Sequence, residues 1–109
     1  MDCLLYSTHP SLEQARESAA ALVDEKLAAC CNILPSGESH YVWQGERIRS
    51  EEVIMFSKTT GKLAEPAMLR LKTLHPYECP AILKLPINGG NPAFMAWVEE
   101  MLKPPVDQA

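Results

Sequence analysis

The stretch CCNILPSGESHYVWQGERIRSEEVIMFSKT, residues 30–59, constrains the fold more than any other part of the chain. It is rich in β-branched and aromatic residues. Gln44, Gly45 and Glu46 interrupt it with a turn signal, so it reads as two antiparallel arms of one hairpin. Pro35 and Gly37 fall inside the outgoing arm. Proline brings no N–H to a ladder, so this arm must bend or break there before resuming through His40, Tyr41, Val42 and Trp43. Arms this long outreach the core that a chain of 109 residues can build. An uncovered ladder is a template for pairing, which predicts that the hairpin lies on another copy of the chain.

The flanking segments supply the layer that packs on the hairpin's base. Residues 3–7 read as a short buried strand. Ser11 followed by Gln14 is a capping-box signature, and Leu12, Ala15, Ala19, Leu22, Val23 and Leu27 then recur at helical spacing. Residues 64–75 predict a second helix, with Pro66 in its first turn, Ala64 or Glu65 near the cap, and Ala67, Leu71 and Leu74 on the inner face. Pro76 stops it, because the residue before a proline is pushed out of helical geometry. AILKLPI, residues 81–87, reads as a strand. Asn91 caps a third helix that starts at Pro92 and carries Phe94, Trp97, Val98 and Met101 as its apolar stripe. The order is a split βαββαβ with an added C-terminal helix, which predicts an α+β, ferredoxin-like fold. One domain spans 1–109, with an ordered core over 3–103 and a tail over 104–109.

The formal charge of −4 and a pI near 5.3 argue against a nucleic-acid partner and against an anionic membrane surface. No apolar run has the length of a membrane span, and the N-terminus lacks the basic start of a secretion signal, so the cytoplasm is the expected location. Cys3, Cys30, Cys31 and Cys79 form no C-x-x-C pair. On a strand, Cys30 and Cys31 would face opposite sides.

The chain has no G-x-x-x-x-G-K, G-x-G-x-x-G or G-x-S-x-G motif, and TTGKL, residues 59–63, reads as an exposed turn. Cys30 with His75 is the one candidate nucleophile pair. Cys30 follows a helix C-terminus, where the dipole disfavours a thiolate, so no enzyme is expected. Thiolate and imidazole suit copper or zinc, which makes Cys30, His75, Cys31, Cys79 and Glu78 candidate metal ligands, with His9 and His40 as outsiders. The structural alternative stays open: His75 closes a helix end or bonds a carbonyl while Cys30 packs in the core. The adjacent pairs Glu51–Glu52 and Glu99–Glu100 read as solvated faces.

Several stretches together, VDEKLAACCNILP, SHYVWQGERIRSEEVIMFSKTT and LKTLHPYECPAILKLPINGGNPAFMAWVEEML, resemble the CutA family of divalent-cation tolerance proteins. The resemblance runs over about residues 3–103. It implies a ferredoxin-like fold and a PII-like homotrimer in which the long hairpins pair with neighbouring subunits. It implies a role in metal-ion response and copper binding in some members. The copper ligands proposed in the family fall here on Ser7, Cys30 and Leu74, so two of three are absent, and weakened copper affinity is expected. By analogy with PII-like trimers, an alternative is a sensor that binds a small ligand in inter-subunit clefts near Lys58, Lys62, Trp43, Tyr77 and Glu78.

Overall fold

The computed structural model describes residues 1–104. The elements run β1 (Asp2–His9), α1 (Leu12–Asp24), β2 (Cys30–Trp43), β3 (Glu46–Thr60), α2 (Gly61–Leu74), β4 (Ile82–Pro86) and α3 (Pro92–Met101). The strands form one antiparallel sheet in the order β2-β3-β1-β4, the ferredoxin-like arrangement expected from the element order. The expected tail falls mostly outside the described residues.

Strand alternation sorts the sheet into two faces. Cys3, Leu5 and Met55 point towards α1 and α2 and join Leu22, Ala28, Ala64, Ala67 and Leu71 in the core. The other face is built in rows: Cys30, Lys58, Leu4 and Leu85 form one, and Asn32, Phe56, Tyr6 and Leu83 the next. Tyr6 and Phe56 pack there with ring centroids 5.8 Å apart. α3 reaches only the end of the sheet, near Asp2 and Thr60.

The hairpin is as long as its sequence suggests, and it stretches the molecule to 57 × 29 × 21 Å. Gln44 (φ 51°) and Gly45 (φ 82°) both take left-handed conformations, as a two-residue turn between twisted strands requires. The outgoing arm slips register between Leu34 and Gly37. A Cβ on Gly37 would lie 2.5 Å from the Glu52 carbonyl oxygen, so the bulge depends on glycine for close backbone approach.

Four expectations are corrected. β1 extends beyond residues 3–7 at both ends, because β3 pairs with it from Asp2 to His9. α2 begins at Gly61, not near Ala64: the Thr60 hydroxyl accepts from the Leu63 N–H and caps it, which makes TTGKL a helix start and leaves Pro66 inside the helix. In α1, Ser18 is buried and Val23 is 41% exposed, while Leu27 lies beyond the helix end and still packs on the core. In α3 only Val98 of the four stripe residues is buried; Phe94, Trp97 and Met101 stay exposed.

Leu71 and Leu69 lie on opposite faces of α2, one fully buried and one 66% exposed. Leu71→Ala is expected to cost about 2–5 kcal/mol through the cavity it leaves, and Leu69→Ala about 0.5 kcal/mol or less. Urea unfolding of the two variants measures both.

Candidate functional site

The buried polar side chains of Ser7, Thr8, His9, Ser18, Glu52 and His75 converge where β1 ends and α2 stops. His75 is the C-cap of α2, and Pro76 prevents continuation. Its Nε2 lies 2.7 Å from the Thr8 carbonyl oxygen, and its Nδ1 lies 3.1 Å from the Tyr77 backbone N. A carbonyl can only accept and a backbone N–H can only donate, so the proton sits on Nε2 and the ring is neutral.

His9 stacks beside it, with ring centroids 5.3 Å apart. The His9 Nδ1 contacts the Gln14 Oε1 at 2.5 Å and its Nε2 contacts the Ser7 hydroxyl at 2.8 Å. The Gln14 amide nitrogen donates to Ser18 Oγ at 3.0 Å and to the Leu74 carbonyl at 3.2 Å, which orients the amide. The His9 proton is therefore on Nδ1, and Nε2 accepts from Ser7. Gln14 thus serves β1 and α2 with its side chain; it does not turn back to the cap as a capping box would, although its backbone N–H does bond Ser11. Burial lowers the His9 pKa by more than the Gln14 hydrogen bond raises it.

Glu52 borders this network and corrects the reading of Glu51–Glu52 as a solvated face. It is 6% exposed, and no hydrogen-bond donor among the described residues reaches its Oε2. Burial raises its carboxyl pKa. The Tyr77 phenol is raised by burial and by the nearby Glu52 and Tyr41. Gln14 carries only a capping signal and Glu52 none; the short β1–α1 connection brings Gln14 to His9, and the pairing of His9 with Val53 brings Glu52 close.

The candidate metal ligands occupy other places. Cys30 is on the sheet face turned away from α1 and α2, not in the core, with Lys58 Nζ 3.7 Å from its sulfur. Cys31 faces the other way, as alternation requires; it donates to Ser57 Oγ at 3.4 Å, and burial raises its thiol pKa. Cys79 is exposed. Cys30 shares a row with Leu4, while His75 holds Thr8, four residues and about 13 Å along β1. Among the described residues no three His, Cys, Asp or Glu side chains gather as a metal cluster. The Ser7, Cys30 and Leu74 positions do not fit copper within one protomer: Ser7 is buried and bonded to His9, and Leu74 has no donor side chain. The cleft candidates are equally spread, with Trp43 at the hairpin tip, Lys58 late in β3, Lys62 in the first turn of α2, and Tyr77 and Glu78 after it.

The molecule is thus a ferredoxin-like α+β domain with an outreaching hairpin and a buried network of neutral histidines. The model of the CutA1 divalent ion tolerance protein family matches residues 3–101. The divalent-cation tolerance protein CutA of Thermus thermophilus is 44% identical over 100 residues, covering 92% of this chain and 97% of that one. A solved structure of the divalent cation tolerance protein from Thermus thermophilus superposes with a TM-score of 0.90 at 43% identity, over 94% of this chain and 100% of that one. The mouse Protein CutA is 35% identical over 88% of this chain, which spans only 54% of the mouse protein. The chain belongs to the CutA1 divalent ion tolerance family.

Two consequences can be measured. The unfolded His9 takes up a proton near its ordinary 6.5, and the folded ring does so only at lower pH. Its contribution is therefore complete above that value and is lost as pH falls through the folded pKa. Stability followed from pH 7 to pH 5 should drop less steeply in His9→Gln than in the parent. In iodoacetamide labelling followed by mass spectrometry, exposed Cys79 should react first, while buried Cys3 and half-buried Cys31, whose thiol pKa is raised, react more slowly.

Proposed function

We propose that the protein assembles as a homotrimer in the cytoplasm and serves the response to divalent metal ions by binding, without catalysis. The observation that carries this reading is the sheet face turned away from α1 and α2. Tyr6, Phe56 and Ile54 lie across it, flanked by Leu34 at 45% and Leu83 at 58% exposure. Tyr41, Val42 and Trp43 extend the exposed apolar surface to the hairpin tip. Contiguous apolar surface of this kind marks an interface, and second copies of the chain are the occupant that family membership favours. Burial stabilises by about 25 cal/mol per Å² of apolar area, so the three-fold arrangement implied by the family would supply the cover that the long arms lack.

The metal role follows from the family and from one thiol. Cys30 lies on the face that copies would share, where a neighbouring chain can approach it. With Ser7 and Leu74 at the other two positions, copper is held weakly in this reading. Native mass spectrometry of the reduced protein, titrated with copper, tests both parts. The expected result is a trimer with no stoichiometric copper uptake at sub-micromolar concentrations. Phe56→Lys should shift the distribution to monomer by placing a charge in the apolar rows. Tight copper uptake abolished by Cys30→Ser would overturn the weak-site reading, and a monomeric parent would overturn the assembly.

One observation favours a second reading, a small-molecule sensor with ligands in the clefts between copies. Glu52 presents a buried carboxylate oxygen without a donor, close to His75 and Tyr77 at the hairpin root. A ligand bearing a donor group would complete it. A thermal-shift screen distinguishes this reading: a small molecule that raises the melting temperature of the parent but not of Glu52→Gln supports it.

A further inference from the structure

INGGN, residues 87–91, joins β4 to α3, and both of its ends are anchored. The Ile87 N–H donates to the Asp2 carbonyl at 3.0 Å, and the Asn91 side chain accepts from the Ala93 N–H at 3.1 Å as the cap of α3. Between these anchors Asn88, Gly89 and Gly90 are exposed and belong to no helix or strand. The Asn88 carboxamide and the Gly89 N–H have no hydrogen-bond partner among the described residues. A Cβ on Gly90 would lie 3.1 Å from the Met95 sulfur, whereas one on Gly89 would meet nothing within 4 Å. The Asn88–Gly89 peptide is therefore open to solvent and uncrowded.

We infer that Asn88 is a site of spontaneous modification, where the side chain closes onto the Gly89 nitrogen and becomes aspartate or isoaspartate, and that this change loosens α3 from the end of the sheet. The inference goes beyond the metal-response reading and rests on no part of it. The Gly89 nitrogen gives up its proton to solvent base and attacks the Asn88 Cγ. The bond from Cγ to the amide nitrogen breaks, ammonia leaves, and a cyclic succinimide remains. Water then adds to either ring carbonyl. Opening at Cγ gives aspartate; opening at the backbone carbonyl routes the chain through Cβ and gives isoaspartate. One water is consumed, one ammonia is released, and nothing is oxidised or reduced. Ring closure requires the backbone to rotate at this peptide, and glycine restricts that rotation least.

The other asparagines, Asn32 and Asn91, lack these conditions. Asn32 is held in β2 opposite Phe56 and is followed by the β-branched, stiff Ile33. Asn91 is followed by Pro92, which has no N–H to act as the nucleophile, and its side chain is occupied by the α3 cap.

The position gives the change its effect. Asn88 lines an open cavity of about 460 Å³ with Asp2 and Glu99. Asp2 is 6% exposed, and no N–H or O–H among the described residues reaches its Oδ1. Either product adds a carboxylate beside these two, and like charges repel. Isoaspartate also lengthens the backbone in the short link between the Asp2 anchor and the α3 cap. Within α3 only Val98 is buried, so little apolar contact opposes its release.

Incubation of the full chain at physiological temperature, at neutral and at mildly alkaline pH, tests the site. Peptide mapping by mass spectrometry follows each asparagine, and labelling with an isoaspartyl carboxyl methyltransferase reads isoaspartate. The expected result is conversion of Asn88, faster at the higher pH, with Asn32 and Asn91 intact. Gly89→Val should lose the conversion and keep the fold, because the space there is open and the backbone is not left-handed. Hydrogen exchange at the α3 amides should rise as the parent ages and in fresh Asn88→Asp, and stay at the fresh parent's level in aged Gly89→Val. An Asn88 that keeps its amide, or converts no faster than Asn32, would overturn the site. Conversion that leaves α3 exchange unchanged would overturn its consequence.

Discussion

The pairing of β3 with both of its neighbours governs where every chemically interesting side chain ends up. β3 meets β1 from Val53 to Thr60 and β2 along nearly its whole length. A slip of one residue would exchange the two faces of the sheet. In the observed register Met55, Ser57 and Thr59 turn to the helices, while Ile54, Phe56 and Lys58 turn away. The same alternation separates Cys30 from Cys31, giving one thiol an ammonium neighbour and the other a buried hydroxyl. The bulge at Gly37 localises the irregularity of β2 to one arm, so the ladder recovers and carries the hairpin to its tip.

The histidine network closes the opposite end of the domain. Thr8, His9, Gln14, Leu74 and His75 join β1, α1 and α2 through hydrogen bonds that leave no histidine nitrogen free. A histidine so placed is a strut. It loses its alignment if it gains a proton, because His75 Nδ1 would then face the Tyr77 N–H donor to donor. In HPYECP, His75 and Pro76 end α2 and tie it to β1, and the Tyr77 ring packs beside the imidazole with centroids 4.7 Å apart. Any metal seeking His75 would first have to break one of these bonds.

Much of this architecture was legible in the chain. Periodicity located the three helices, Gln44-Gly45 marked the hairpin turn, and Pro35 with Gly37 marked the bulge, because each signal is local and has one physical cause. The start of α2 was hidden because Pro66 is a stronger written signal than Thr60, although the threonine does the capping. The α3 stripe misled for another reason: amphipathic spacing shows that a face is apolar, but not whether this protomer covers it. Glu52 and Asp2 were beyond reach. Acidic residues have a strong prior for the surface, and only tertiary pairing buries these two. Their unpaired oxygens lie beside other strands and helices, so no spacing in the sequence foretells them.

These two carboxylates bear on how a protein of a divalent-cation tolerance family could sense ions without thiol ligands gathered in one chain. The sheet itself separates Cys30 from Cys3 and Cys31, and Cys79 is exposed after α2. The orphaned oxygens, by contrast, are each fixed by backbone pairing. Asp2 is held between β3 and the segment after β4, and Glu52 sits next to the last β1–β3 pair. A carboxylate held rigidly and starved of donors is preorganised for a cation, because the cost of ordering and desolvating it is met on folding rather than on binding. The affinity such a centre can reach then depends on how many further oxygens approach it. At Glu52 the space that would be completed opens towards Tyr77 and Tyr41, at the root of the hairpin, where the proposed assembly would bring in a neighbour.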